Sequence, residues 1–308
     1  MPEATSSNPL PLADVRVVDL SRLVSGNMLT HVLADLGATV VKVEAPRKGD
    51  ELRAWQRQGV STYWLAYSRN KDSVELDLRS TGGMTALRDL LRGADVLVEN
   101  FRPGTLERMG LGRDALQDLN PRLVVVRISG WGQTGPFADK GGFGSLIEAM
   151  SGFAAMNGFA DRPPVLPPFA MADNVAGLYG ATLAVALLHT QRGAAEPRVR
   201  EVDLSLFEPL FSVLGPQAAE YTLTGQVVPR SGSRSPTHAP RNVYRTRDGR
   251  WVALSAGMEG TLARLFDGIG HPEALADPRF ASHEARLKNI DALDGLIQGH
   301  VGSLTLDD

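Results

Sequence analysis

Cysteine is absent from the 308-residue chain, which excludes disulfides, thiolate catalysis, zinc–thiolate sites and iron–sulfur clusters. Any covalent nucleophile must therefore be an oxygen or a nitrogen. An excess of one charge is missing too: 32 Lys and Arg stand against 35 Asp and Glu, a formal net charge of −3. No basic stripe interleaved with aromatics runs anywhere along the chain, so nucleic acid is not an expected partner. Long apolar runs are lacking. The longest uncharged stretch, Asn174 to Thr190, is short for a bilayer and rich in Gly and Ala, so no membrane partner is expected. The opening MPEATSSNPL has neither a basic start nor an apolar core, and a cytoplasmic location is the default expectation.

Several chemical signatures are also missing. The chain has no G-x-x-x-x-G-K-[ST] loop, no G-x-S-x-G elbow and no H-E-x-x-H pair, which argues against P-loop phosphoryl transfer, serine hydrolysis and zinc hydrolysis. His31, His189, His238, His271, His283 and His300 are scattered without metal-ligand spacing, so no metal is expected.

What is present is an α/β pattern. Residues 15–20 read as an apolar strand, followed by the loop 21–26 and a helix with Leu29, Val32, Leu33 and Leu36 on one face. Gly37 closes that helix and residues 38–44 form a second strand, completing a strand–helix–strand unit with a right-handed crossover. The pattern recurs with strands at 73–78, 95–98 and 123–128 and helices at 82–91 and 113–119. Leu123-Val124-Val125-Val126 is apolar at every position, as expected of a strand covered on both faces. The chain thus reads as a doubly wound, mostly parallel Rossmann-like sheet. Further on, residues 172–189 form a helix full of small residues, 200–204 a strand, 225–240 a Gly/Ser/Pro/Arg loop, and 244–254 a hairpin around Asp248-Gly249.

Gly130, Gly132 and Gly135 match G-x-G-x-x-G after a strand. A dinucleotide fingerprint must open a helix there, and Pro136 with the polar run 138–142 argues instead for a flexible loop at a strand's carboxyl end. Arg79, Asn100, Phe101 and Arg102 also fall just past strand ends. They read either as a phosphate-recognising rim or, taken singly, as solvated surface groups. Asp173 opens the small-residue helix below two glycine-rich stretches, 130–144 and 152–158. It can be read as a helix N-cap or as a carboxylate kept ionised by the helix dipole and ready to act as a nucleophile.

The ordered blocks Val15-Arg16-Val17-Val18-Asp19-Leu20-Ser21-Arg22, Leu33-Ala34-Asp35-Leu36-Gly37-Ala38, Lys42-Val43-Glu44, Gly49-Asp50, Ala94-Asp95-Val96-Leu97-Val98-Glu99-Asn100-Phe101-Arg102-Pro103-Gly104, Asn120-Pro121-Arg122-Leu123 and Ile128-Ser129-Gly130 through Gly135-Pro136 resemble the family III CoA-transferases, a superfamily that also holds CoA-ester racemases. The resemblance covers nearly the whole chain. It implies that Asp173 is the nucleophile of an acyl-CoA:carboxylate transfer proceeding through an aspartyl-CoA thioester. It also implies that Val24 and Ser25 lie along the CoA adenosine, and that Arg79, Asn100, Phe101, Arg102, Arg108 and Lys140 serve CoA. No cofactor would be permanently bound; the CoA thioester is substrate, and a carboxylic acid is the acceptor.

Departures from the family pattern narrow this reading. Ala45 stands where some relatives have an arginine. Phe143, in Gly142-Phe143-Gly144, replaces the histidine that racemases use in Gly-His-Asp, favouring transfer over racemisation. Residues 231–236 lack the Gly-Gly-Gln signature of formyl-CoA transferases. The implied architecture is a disordered tail at 1–10, a large CoA-binding and catalytic domain at 11–195, a linker strand, helix and loop at 196–240, and a small α+β domain at 241–308. Relatives form interlocked homodimers in which the chain returns to the large domain, and this sequence lacks most of that return. A CoA-binding subunit inactive alone is the remaining alternative. The closing residues 303–308 read as the start of a helix.

Overall fold

In the computed structural model, residues 9–308 are described; the first eight residues of the expected tail lie outside them. The described residues divide into two compact units, one of residues 9–153 and 166–215, the other of residues 154–165 and 216–308.

The first unit is built on six parallel strands: β1 (Arg16–Asp19), β2 (Thr39–Glu44), β3 (Lys71–Glu75), β4 (Val96–Glu99), β5 (Val124–Ser129) and β6 (Arg200–Ser205). Their order is β3-β2-β1-β4-β5-β6. The first three strands step outward in one direction, then the chain returns to lay β4 on the other side of β1. That reversal leaves a crevice past the carboxyl ends of β1 and β4, where open α/β sheets bind ligands.

Alternating side chains divide between two cores. Val17, Val96, Val98, Val124 and Val126 face one core, under the helices α1 (Ser25–Asp35) and, further along, Met171–Arg192. Val18, Leu97 and Val125 face the other, under α3 (Thr81–Arg92), α4 (Thr105–Arg108) and α5 (Arg113–Leu119), which supply Leu87, Leu91, Leu106 and Leu116, whereas α2 (Thr62–Ser68) packs on α1. Past β5 come α6 (Gly144–Met150), α7 (Phe153–Met156) and α8 (Met171–Arg192), and α9 (Phe207–Val213) follows β6.

α8 is long and apolar enough to span a bilayer by length and composition, more so than the stretch 174–190 suggested. It packs nevertheless on α1, α6, α9, β5 and β6. Its small residues explain the closeness: a Cβ on Gly177 would lie 2.8 Å from the Met28 Cβ, and one on Gly180 would lie 2.4 Å from the Leu29 Cδ1.

The second unit holds α10 (Gln217–Thr224), the antiparallel pair β7 (Arg241–Arg245) and β8 (Trp251–Ser255), and the helices α11 (Glu259–Gly268), α12 (His283–Lys288) and α13 (Ile290–Val301). They enclose a core around Tyr244, Leu262, Phe266, Leu293 and Ile297. Buried Asp294 accepts hydrogen bonds from Tyr244 Oη at 2.7 Å, Asn242 Nδ2 at 2.8 Å and Arg234 Nε at 2.7 Å.

Three sequence expectations are corrected. Residues 196–240 are not one linker: β6 pairs with β5 along Arg200–Ser205 and buries Leu204, and α9 packs on α8, so both belong to the large unit. The small unit takes residues 216–240 and also the excursion 154–165. The third strand covers 71–75 rather than 73–78, because it pairs with β2 from Lys71 to Glu75. Residues 303–308 form turns rather than a helix start, with the Arg247 N–H donating to the Leu304 carbonyl and the Thr305 N–H to the Asp308 carboxylate, both at 2.8 Å.

Candidate active site

Above β1, β4 and β5 the large unit holds a cavity of about 270 Å³, lined by Arg22, Leu23, Ser25, Asn100, Phe101, Arg102, Pro103, Ile128, Ser129, Gly130, Ala138, Lys140, Gly141, Gly142, Phe143, Asp173 and Leu206. Its floor is the loop joining β1 to α1. Leu23 there takes φ 62°, a conformation that a branched side chain adopts only when its surroundings impose it.

Those surroundings are polar and buried. The Asp50 carboxylate accepts from the Leu23 N–H at 3.1 Å and from Asn27 Nδ2 at 2.7 Å. The Asn100 side chain clamps Arg22 from both sides, accepting from its N–H at 2.8 Å and donating to its carbonyl at 2.6 Å. Lys42 Nζ, beneath, donates to the Ser21 carbonyl. Asn100 thus holds the loop while also lining the cavity.

The glycine-rich loop forms the opposite wall. A Cβ on Gly130 would sit 2.5 Å from the Gly142 Cα, so only paired glycines let the two strands of this loop touch. Trp131 Nε1 donates to the Gly141 carbonyl at 3.2 Å, closing it further. No helix opens after Gly135: the chain runs through turns until α6 starts at Gly144. The pyrophosphate geometry of a dinucleotide fingerprint is therefore not formed.

Asp173 enters this cavity from the first turn of α8. It is not the N-cap, a position held by Ala170; it lies inside the helix. Burial and the charge of Glu148 push its carboxyl up from 3.8 to about 6, against hydrogen bonds from its own backbone and from the Ser25 N–H and hydroxyl. Desolvation and a like charge outweigh the donors, so the carboxylate expected at this helix start ionises at higher pH than an ordinary one. Glu148 is itself buried, and its Oε1 accepts from the Ala172 N–H at 3.2 Å. Gly144 fits between the acids: a Cβ there would lie 2.5 Å from Asp173 Oδ2 and 3.8 Å from Glu148 Oε1.

Of the residues expected at the site, Ser25, Asn100, Phe101, Arg102, Lys140 and Asp173 meet in one cavity. Three do not line it. Val24 is buried at the N-cap of α1. Arg79 projects into solvent with its side chain 95% exposed, beside Asp77. Arg108 donates to Thr105 Oγ1 at 2.8 Å. Arg22 and Glu148 went unnoticed in the sequence. Arg22 follows a strand end, as Arg102 does, and could have been found by that criterion; Glu148 lies in a seven-residue helix with no motif around it.

A carboxylate nucleophile candidate with cationic Arg22, Arg102 and Lys140 around the mouth of a crevice at the sheet's switch point defines an enzyme of the open α/β class, suited to a substrate with anionic groups. The model of CoA-transferase family III matches residues 12–308. The chain is 41% identical over 302 residues to the succinyl-CoA–D-citramalate CoA-transferase of Chloroflexus aurantiacus, covering 97% of this chain and 75% of that protein. It is 35% identical to the succinate–glutarate CoA-transferase of Agrobacterium fabrum, covering 90% of this chain and 71% of that protein. A CAIB/BAIF family protein from Brucella suis superposes with a TM-score of 0.85 at 33% identity, covering 98% of this chain and 80% of that one. The chain belongs to CoA-transferase family III, and it is a CoA-transferase.

Proposed function

We propose that the enzyme moves CoA from an acyl-CoA donor to a carboxylic acid acceptor, with Asp173 as the covalent relay. The observation that carries this is the placement of a desolvated carboxylate, Asp173, in a cavity ringed by Arg22, Arg102 and Lys140. An Asp173 oxygen attacks the thioester carbonyl carbon, the C–S bond breaks, and CoA leaves as the thiolate with a mixed anhydride on the enzyme. The thiolate then adds to the Asp173 carbonyl carbon and expels the donor's carboxylate, leaving aspartyl-CoA. An acceptor carboxylate reverses the two steps. Each stage exchanges one acyl bond for another, which divides the barrier. Partial desolvation raises the nucleophilicity of the carboxylate, and the three cations neutralise CoA phosphates or the carboxylates of both acids.

Phe143 lines the cavity and cannot carry a proton, so nothing at that position supports racemisation. An interlocked homodimer belongs to the same proposal. Leu178, Tyr179, Leu183 and Val185 of α8 are exposed apolar side chains, as expected of a face that meets another polypeptide.

Incubating the protein with succinyl-CoA should give an adduct of CoA mass on the peptide carrying Asp173, cleaved by hydroxylamine to a hydroxamate. Turnover without any adduct on that peptide would sink the covalent relay. Glu148 supplies a separate test, because it raises the Asp173 carboxyl through like charge. The covalent step needs the ionised form, so its rate should climb as pH rises through about 6. In Glu148→Gln the climb should begin at lower pH, while the amide oxygen of the new side chain can still accept from the Ala172 N–H. A midpoint that stays in place or rises would contradict the assigned coupling.

A further inference from the structure

Ser25 is the first residue of α1 and is 3% exposed. Helix starts leave their first N–H groups without intrahelical partners, and α1 has no remedy of its own: Val24 makes no side-chain cap and the first turn contains no acid. The missing acceptor arrives from another helix. α8 runs against α1 so closely that a Cβ on Gly177 would sit 2.9 Å from the Ser25 carbonyl oxygen. This contact sets Asp173, one turn earlier on α8, near the start of α1, so that Ser25 and Asp173 line the same cavity, and the Ser25 N–H and hydroxyl act to lower the Asp173 carboxyl. From the other side Gly144 closes on Asp173 Oδ2, leaving no room for even a methyl group. The carboxylate is therefore held between Gly144 and the start of α1.

Resting on the acyl-transfer reading above, we propose that Ser25 is a catalytic hydrogen-bond donor, its N–H and Oγ–H stabilising the oxyanion that forms on the Asp173 side chain when CoA thiolate adds to it. In the mixed anhydride the side-chain oxygen facing Ser25 is a carbonyl oxygen. Addition of the thiolate to the carbon places a full negative charge on that oxygen, and collapse of the adduct expels the donor's carboxylate and restores the carbonyl in aspartyl-CoA. The same two donors serve the reverse addition when the acceptor acid attacks aspartyl-CoA. Donors already in place for a developing oxyanion need no reorganisation at the moment of reaction, which is the condition under which they act most strongly. This assignment replaces the expected adenosine contact for Ser25, which is buried and shares the cavity with Asp173.

The test compares wild type with Ser25→Ala, which keeps the N–H and removes only the hydroxyl. Three quantities are followed: the rate of adduct formation from saturating succinyl-CoA by quenched-flow mass spectrometry, its pH dependence, and the affinity for free CoA by calorimetry. Adduct formation should fall about 10- to 100-fold, somewhat less than for loss of a strong oxyanion donor in other enzymes. The pH midpoint should move upward, since the ionised carboxylate loses a donor, and CoA affinity should stay within about twofold. A merely structural serine would lower the melting temperature without moving that midpoint. An unchanged saturated rate, or a loss confined to CoA affinity, overturns the assignment and returns Ser25 to the binding surface. Failure of wild type to form any adduct strikes instead at the acyl-transfer reading beneath it.

Discussion

Asp173→Asn should lose CoA transfer by at least about 10³-fold while gaining stability at alkaline pH. The amide keeps the size and shape of the carboxyl but cannot form the anhydride, so both half-reactions stop together and no adduct should appear on the peptide containing residue 173. Stability should move the other way. The folded carboxyl ionises near 6, whereas its ordinary value is 3.8, so the native state holds its proton more tightly than the unfolded chain. Native stability therefore declines as pH rises from about 4 to about 6, and above 6 the full cost of a buried charge beside Glu148 is present. Asparagine removes that cost. The variant should exceed wild type by about 1–3 kcal/mol at pH 8 and lose this advantage near pH 4. Thermal melts of both proteins at the two pH values decide it. A variant less stable than wild type at pH 8 would show that the Ser25 and backbone donors outweigh burial, and that the carboxylate is not held against its preference.

The sheet was legible in the sequence because its strands carry their own signal. β1, β2, β4 and β5 are short apolar runs between helical patterns, and covering both faces leaves them no polar alternation to confuse. β6 was misassigned to a linker for the opposite reason. Its Arg200-Glu201-Val202-Asp203-Leu204-Ser205 alternates, as an edge strand does, and only the pairing with β5 reveals that it completes the sheet. Asp173 was visible as a carboxylate at the start of a helix, but its ionisation was not. Whether such a group is stabilised or strained depends first on its burial and then on Glu148, 25 positions earlier by residue number. Asn100 and Arg79 show a related limit. Both follow strand ends, yet one turns inward to hold Arg22 and the other points to solvent, and a strand-end rule cannot separate them. Glu148 escapes sequence reasoning because neither type nor spacing marks it, and Ser25 was expected at the site but not beside Asp173; both placements come from the packing of α6 and α1 against α8.

Lys42→Met should unfold the large unit far more easily than its modest change in volume suggests, because the charge it removes is the centre of a closed network under the active-site loop. Lys42 Nζ lies 3.3 Å from Asp19 Oδ1 and 3.2 Å from Asp50 Oδ2, with its side chain 1% exposed and both aspartates fully buried. Lys71 reaches Asp19 Oδ2 at 3.5 Å and Thr30 Oγ1 at 2.7 Å, so two cations balance two anions out of contact with water. Desolvation works to raise the Asp19 carboxyl, but Lys42, Lys71 and the hydroxyls of Ser21 and Thr30 together hold it below its ordinary value. Removing Lys42 leaves Lys71 alone against two buried carboxylates and deprives the Ser21 carbonyl of its donor. Breaking a buried ion pair from one side costs about 3–5 kcal/mol, which for a chain of this size corresponds to a melting temperature lower by on the order of 10 °C. The pH dependence adds a signature that lost packing would not produce. A depressed carboxyl contributes stability present above its unfolded value, near 3.8, and lost as pH falls through the folded one. In wild type the acid limb attributable to Asp19 should therefore lie below that value, and in Lys42→Met it should shift to higher pH as the Asp19 carboxyl rises. Transfer activity should fall as well, since Asp50 holds Leu23 and Asn27 in the loop below Asp173. Urea titrations between pH 3 and pH 8 check both effects. A midpoint within measurement error of wild type, with the acid limb unmoved, would mean that the network contributes shape but little free energy to the loop on which the site is built.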